Sequence, residues 1–183
     1  MNRAQLEHLL RAAATIVNDP DLLVVGSQSI LGSYPEEELP IEATTSIEAD
    51  LAFFVDPDGS KADRVDGAIG ELSRFHETYG YYAQGVSVST AVLPDGWESR
   101  TVEFGSPGAA PARARCLEVH DCVVAKLVAG RQKDFAFAAA LIREGLVEPA
   151  TLIARIRALS RVDGRSIDRL EAWVRRQVGR SSG

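Results

Sequence analysis

Residues 22–30 read LLVVGSQSI and residues 48–55 read EADLAFFV. The first is an apolar run that ends abruptly at Gly26-Ser27, and the second is the strongest strand signal in the chain. A short helix is predicted from Ser27 to Leu31, stopped by Gly32. The intervening SYPEEELPIEATT (33–45) is polar and broken by proline, which predicts a surface loop. Side chains alternate across a strand, so Glu48 and Asp50 project to one face while Ala49 and Leu51 project to the other. Two carboxylates one pleat apart repel unless a cation or water stands between them. Hard oxygen ligands held rigidly suit Mg²⁺, with coordination left over for substrate phosphates. Taken alone, the pair fits a solvated strand start better. Gly-Ser at a strand-to-helix junction lets backbone N–H groups and a hydroxyl approach a phosphate, although Ser27 acting as a simple helix cap fits as well.

Outward from these two runs the periodicity gives the remaining elements. Leu6, Leu9, Leu10, Ala13 and Ile16 are helically spaced and predict a helix over 3–17. DPDGS (56–60) is a turn, and Val65, Ala68, Ile69, Leu72 and Phe75 predict one helix from Lys61 to Tyr79. GVSVSTAVL (85–93) and SRTVEF (99–104) alternate around PDGW and predict a β-hairpin, with Trp97 at its tip. GSPGAAPARAR (105–115) reads as a flexible linker. Beyond it only helical patterns appear, over 119–130, 132–144, 149–159 and 165–178. The predicted fold class is α/β (α+β): a small mixed sheet flanked by helices over 1–108, then a helical half over 109–183 packed with it as one unit.

The 183 residues carry 45% hydrophobic and 25% charged side chains, a globular composition long enough to bury a core without disulfide or metal staples. A net charge of −6 argues against holding a polyanion by bulk electrostatics, so any nucleic-acid partner needs a local basic patch. One candidate exists: Arg155, Arg157, Arg161, Arg165, Arg169, Arg175, Arg176 and Arg180. Such a run is usually a solvated face paired with acids, and against an acidic remainder it suits RNA such as a tRNA acceptor end. Cys116 and Cys122 lack metal or redox spacing and read as reduced, buried thiols. The charged, amphipathic N-terminus is unlike a signal peptide, and no apolar run approaches a membrane span. The expectation is a cytoplasmic protein.

The order apolar strand–Gly-Ser–short helix–loop–acid-x-acid–apolar strand resembles the DNA-polymerase-β-like nucleotidyltransferase superfamily. In particular the chain looks like small bacterial nucleotidyltransferase-like proteins of the DUF6036 type, related to abortive-infection toxins. LEVHDCVVAKLVAGRQKDFAFAAALI (117–142) strengthens the resemblance through Lys126, Arg131, Lys133 and Asp134. The likeness covers roughly residues 20–145. It implies a nucleoside triphosphate, a pair of Mg²⁺ ions, and attack by an acceptor hydroxyl on the α-phosphate. Gly26 and Ser27 would hold the triphosphate with Lys126, Arg131 and Lys133. Glu48 and Asp50 would bind metal. Asp134 would hold Lys126 or an acceptor group in place.

This sequence departs from the superfamily pattern in three ways. Glu48 stands where the first acid is normally Asp, and YPEEELPIEATT lengthens the loop before it. Active members usually add an acid on a later strand, where GVSVSTAVL offers only Ser87, Ser89 and Thr90, leaving Glu103 as the strand acid available. Without the resemblance, Lys126 reads as a lysine flanking an apolar stripe, Arg131 and Lys133 as helix-end charges, and Asp134 as a first-turn acid. Asp121 reads as a helix cap and His76 as structural. Two functions therefore compete: a transferase acting on RNA, protein or a small molecule, as an enzyme or as a toxin with a cognate antitoxin, and a degenerate fold that binds nucleotide or protein.

Overall fold

The computed structural model describes residues 1–181, with side chains through 179. Helix α1 (Arg3–Val17) opens on an Asn2 cap whose side chain accepts from the Gln5 N–H, and closes on Asn18 in the left-handed conformation. It buries Leu6, Leu9, Leu10, Ala13, Ala14 and Val17. Each of its buried leucines contributes about 1.5–3 kcal/mol of apolar burial. Strand β1 (Asp21–Val25) follows, then the expected short helix, which is a 3-10 helix over Ser27–Gly32. The polar loop carries a second 3-10 turn (Glu36–Glu38) and the single-turn helix α2 (Ile41–Thr44) before β2 (Glu48–Phe53).

The predicted helix over 61–79 is two helices, α3 (Ser60–Ile69) and α4 (Arg74–Tyr79). The break has a local cause. A Cβ on Gly70 would lie 2.1 Å from the Asp66 carbonyl oxygen, Leu72 takes φ 61°, and the Ser73 hydroxyl caps the new helix at the His76 N–H.

The predicted hairpin does not form. Strand β3 is Tyr82–Gly85, earlier than expected, and Val88–Thr90 makes a 3-10 turn capped by Ser87. The Ser87 hydroxyl accepts from the Ser89 N–H and the Thr90 hydroxyl donates to the Ser87 carbonyl. These side chains satisfy the backbone locally and so compete with a ladder. Strand β4 (Val102–Glu103) lies at the opposite edge of the sheet from β3. The linker reading is also overturned. Pro107–Ala109 forms a 3-10 turn, and Arg113–Cys116 is strand β5, with Ala114 and Cys116 buried and both arginines exposed. The helices α5 (Val119–Ala129), α6 (Gln132–Arg143), α7 (Pro149–Arg157) and α8 (Gly164–Ser181) complete the fold.

The sheet order is β3-β2-β1-β5-β4, with β2 antiparallel to β1 and β3 and β5 parallel to their inner neighbours, β2 and β1. A mixed α/β fold with C-terminal helices is thus observed. The sheet has two covered faces. Leu22, Val24, Ala49, Leu51 and Phe53 pack with α1 and α3, whereas Leu23, Val25 and Ala52 pack with α5 to α8. Strand alternation therefore turns Glu48 and Asp50 towards the C-terminal helices. Helix α5 lies against the sheet and the other helices, so Cys122, Val123, Val124 and Leu127 are all buried. Cys116 and Cys122 are free, buried thiols, and burial pushes Cys116 up to about 12. Among the described residues no helix is long and apolar enough to cross a membrane.

Candidate functional site

Strand β1 ends at Gly26, which adopts φ 65° and ψ −165°. A Cβ there would sit 1.9 Å from Asp50 Oδ2, so the absence of a side chain is what lets β1 turn directly over the Asp50 carboxylate. The elbow is pinned through the Gly26 carbonyl, which accepts from the Ser29 hydroxyl at 2.8 Å and the Cys122 thiol at 3.1 Å. Ser27 caps no backbone N–H; it lines a cavity of 390 Å³ with Glu48, Asp50, Lys126, Arg131 and Lys133. All eight residues singled out in the sequence except Gly26 line this cavity. Gly26 lines a second cavity of 310 Å³. Asp50, Lys126 and Arg131 belong to both walls.

The register places Asp50 beside Val25 on one side and Gln84 on the other, and Glu48 beside Tyr82. The Tyr82 hydroxyl donates to Glu48 Oε2 at 3.2 Å. Burial raises the Asp50 carboxyl to about 6, with the neighbouring Glu48 adding to the rise and Lys126 and Arg131 opposing it. Burial first, and then the Glu48 charge, push the Tyr82 phenol up to about 12. Two acids are held together at a location only partly compensated by cations, which is the electrostatic condition of a cation site.

Lys126 sits in the last turn of α5, and Gly130 at φ 71° ends that helix. Arg131 then begins α6, where Asp134 accepts from the Arg131 backbone N–H at 3.2 Å and from its Nε at 2.7 Å. Asp134 Oδ1 is 3.9 Å from Lys126 Nζ, and its side chain is 2% exposed. Asp134 thus holds the two cations from behind and is a positioning residue. Lys133 is exposed at the cavity rim.

The expected third acid is not where the sequence offers it. Glu103 pairs with Arg115 on the far-edge strand, and Gln84 occupies the position adjoining Asp50. Among the described residues no third Asp, Glu, His or Cys joins Glu48 and Asp50 in a metal-ligating group. Tyr82 and Gln84 fall in YYAQ, which pattern alone places on the approach to a strand. The aromatic-rich YYAQG is itself the strand signal. The loop lining, including Thr45 and Ser46, has no sequence signature.

Asp121 serves the fold. It is fully buried between Arg100, at 2.8 Å, and Arg155, at 3.3 Å. His120 donates to nothing catalytic; its Nδ1 pairs with Glu118 and its Nε2 accepts from the Glu148 N–H at 2.9 Å.

Neither the curated proteins nor the solved structures yield a match. A family described as a nucleotidyltransferase of unknown function (DUF6036) matches residues 4–148, a span that takes in the elbow, both acids, Lys126 and Asp134. With most of its length matched, the chain belongs to this DUF6036 nucleotidyltransferase family.

Proposed function

We propose that the protein transfers a nucleoside monophosphate from a nucleoside triphosphate to a hydroxyl acceptor, with Mg²⁺ held by Glu48 and Asp50. The observation that carries this reading is the placement of Asp50. It lies under the Gly26 elbow, beside Glu48, lining both cavities and within the field of Lys126 and Arg131. The donor set fits a hard divalent ion: two carboxylates pressed together, with the Gln84 amide adjoining them. A second ion of a two-metal arrangement would rest on Asp50 and the substrate's own phosphates. When bound, Mg²⁺ offsets the charge on the phosphate oxygens.

The chain's own residues supply position. The Gly26-Ser27 elbow offers a hydroxyl and close backbone approach, and Lys126, Arg131 and Lys133 attract the triphosphate into the 390 Å³ cavity. The acceptor oxygen bonds to the α-phosphorus as the bond to the bridging oxygen breaks. Pyrophosphate leaves, and the acceptor proton passes to water.

Thermal unfolding with each of the four nucleoside triphosphates, with and without Mg²⁺, tests the site. The expected result is Mg²⁺-dependent stabilisation by at least one nucleotide, about 2.7 kcal/mol at 100 times its Kd, lost in Asp50→Ala. No shift with any nucleotide would sink the reading. Stabilisation without release of pyrophosphate would select the alternative, a degenerate nucleotide-binding module, which the neutral Gln84 beside Asp50 favours. A toxin role and an antitoxin partner would follow from the identity of the acceptor. Tyr82→Phe removes the donor to Glu48. It should weaken Mg²⁺ binding several-fold, on the order of 1 kcal/mol, in a calorimetric titration, and lower the metal-free melting point by only about 2–4 °C.

A further inference from the structure

A third cavity, of 490 Å³, lies between α8 and the α5–α6 turn, outside the phosphate-binding site. Its floor carries Phe135 and Trp173, whose rings are 5.2 Å apart at 51° and half-buried. Arg169 and Arg176 line it from α8 together with Trp173, a spacing that puts all three on one helical face. The arginines of the C-terminal region divide into two sets. Arg155, Arg157 and Arg175 are taken by Asp121 and Glu171. Arg161, Arg165, Arg169 and Arg176 have no acid within ion-pair distance among the described residues; of these four, Arg169 and Arg176 line the cavity, and Arg169 donates to the Ser166 hydroxyl at 2.7 Å. Arg180 lies outside the residues whose side chains are described.

The groove adjoins the site. Val128 lines both the groove and the 310 Å³ cavity, which reaches Asp50, Lys126 and Arg131. Lys126 and Gly130 are one helical turn apart, about 6 Å along α5. In-line displacement needs the acceptor and the leaving pyrophosphate on opposite sides of the reacting phosphorus. The two cavities share Asp50, Lys126 and Arg131 and so adjoin at the site. Of the two, the 390 Å³ cavity carries the additional cation Lys133 and suits the triphosphate, which leaves the 310 Å³ cavity, next to the groove, for the acceptor.

We infer that this groove binds the end of a single-stranded nucleic acid, stacking a base against Trp173 and Phe135 and pairing its phosphates with Arg169 and Arg176. The inference rests on the transferase reading for the role of acceptor, though not for binding itself. Aromatic faces combined with guanidiniums that no acid neutralises, in an otherwise acidic chain, match the two recognition elements of a single strand. An acidic protein segment shares only the second of them.

The test is fluorescence anisotropy with labelled single-stranded RNA and DNA of about 12 nucleotides, against a duplex of equal length, without Mg²⁺ or nucleotide. Single strands should bind and the duplex should bind less well. Trp173→Ala should weaken binding about 5- to 100-fold. Arg169→Gln with Arg176→Gln should flatten the dependence of log Kd on log salt by about 1.4, near 0.7 for each phosphate no longer neutralised. Arg165→Gln, outside the groove, should bind as wild type does. Because Trp173 also packs against Phe135, Trp173→Phe and the arginine pair keep the test open if Trp173→Ala melts early. Absence of single-strand binding, equal binding by the groove variants, or preference for an acidic protein over the oligonucleotides would each overturn the proposal. Binding by the wild-type protein without transfer in the presence of Mg²⁺ and nucleoside triphosphates would sink the transferase reading alone, and the RNA and DNA arms distinguish the two sources of single strand.

Discussion

Asp50→Asn should abolish nucleotidyl transfer while raising the melting temperature of the metal-free protein at neutral pH. The two effects share one cause. In the folded protein the Asp50 carboxyl titrates at about 6, raised by burial and by Glu48, against an ordinary value of 3.8. The folded state therefore holds this proton more tightly than the unfolded chain does. Its contribution to stability is fully present below the unfolded value and is lost as pH rises through about 4 to 6. Above that window the ionised pair is a net cost. A neutral isostere removes the cost, a gain of about 1–3 kcal/mol. For a chain of this size each kcal/mol moves the melting point by about 2–4 °C. The wild-type melting curve should fall across that window relative to Asp50→Asn, and Mg²⁺ should close the gap from the wild-type side alone. Transfer should drop by about 10³-fold or more, because the lost carboxylate would no longer hold the Mg²⁺ that offsets charge on the phosphate oxygens. Equal melting points at pH 7.5, or retained turnover, would refute the assignment.

The legible and illegible parts of this molecule differ in where their causes lie. Strand β1, the Gly26 break, strand β2 and the shared face of Glu48 and Asp50 follow from local periodicity, and the structure has them in place. Helices α5 to α8 are readable for the same reason. The failures come where two patterns compete. VSVST alternates like a strand, yet its hydroxyls bond their own backbone and close a 3-10 turn. RARC alternates too, but Gly, Pro and Ala upstream disguise a strand that pairs with β1 and β4 on its two sides. Gln84 cannot be found as a neighbour of Asp50 without the β2–β3 register, which is a tertiary fact. The convergence of Lys126 with Asp50 is likewise invisible in a chain where they stand 76 positions apart. The resemblance to known transferases suggests it, and the packing of α5 over the sheet accounts for it.

Gly26→Ala should damage both the fold and the site, and the two losses can be separated. Gly26 has φ 65° with ψ −165°, a region that L side chains rarely enter. That conformation alone costs about 1–3 kcal/mol for alanine. The new Cβ would also lie 1.9 Å from Asp50 Oδ2, a contact that cannot persist, so the carboxylate or the elbow must move. Overpacking of this kind costs a further amount of about 1–3 kcal/mol. A total of about 2–6 kcal/mol is a large part of the stability of a single domain. The elbow cannot simply swing away. Its carbonyl is tied to the Ser29 hydroxyl and the Cys122 thiol, and releasing it would strip the anchor between β1 and α5. Gly26→Ala combined with Asp50→Gly removes the overlap and leaves the backbone cost. The double variant should therefore be more stable than the sum of the two single changes, by about the overlap term. Additive losses would mean that Gly26 is required only for its backbone angles. A Gly26→Ala protein as stable as wild type, with unchanged Mg²⁺ affinity, would mean that Asp50 does not lie beneath the elbow, and the site built on that contact would fall with it.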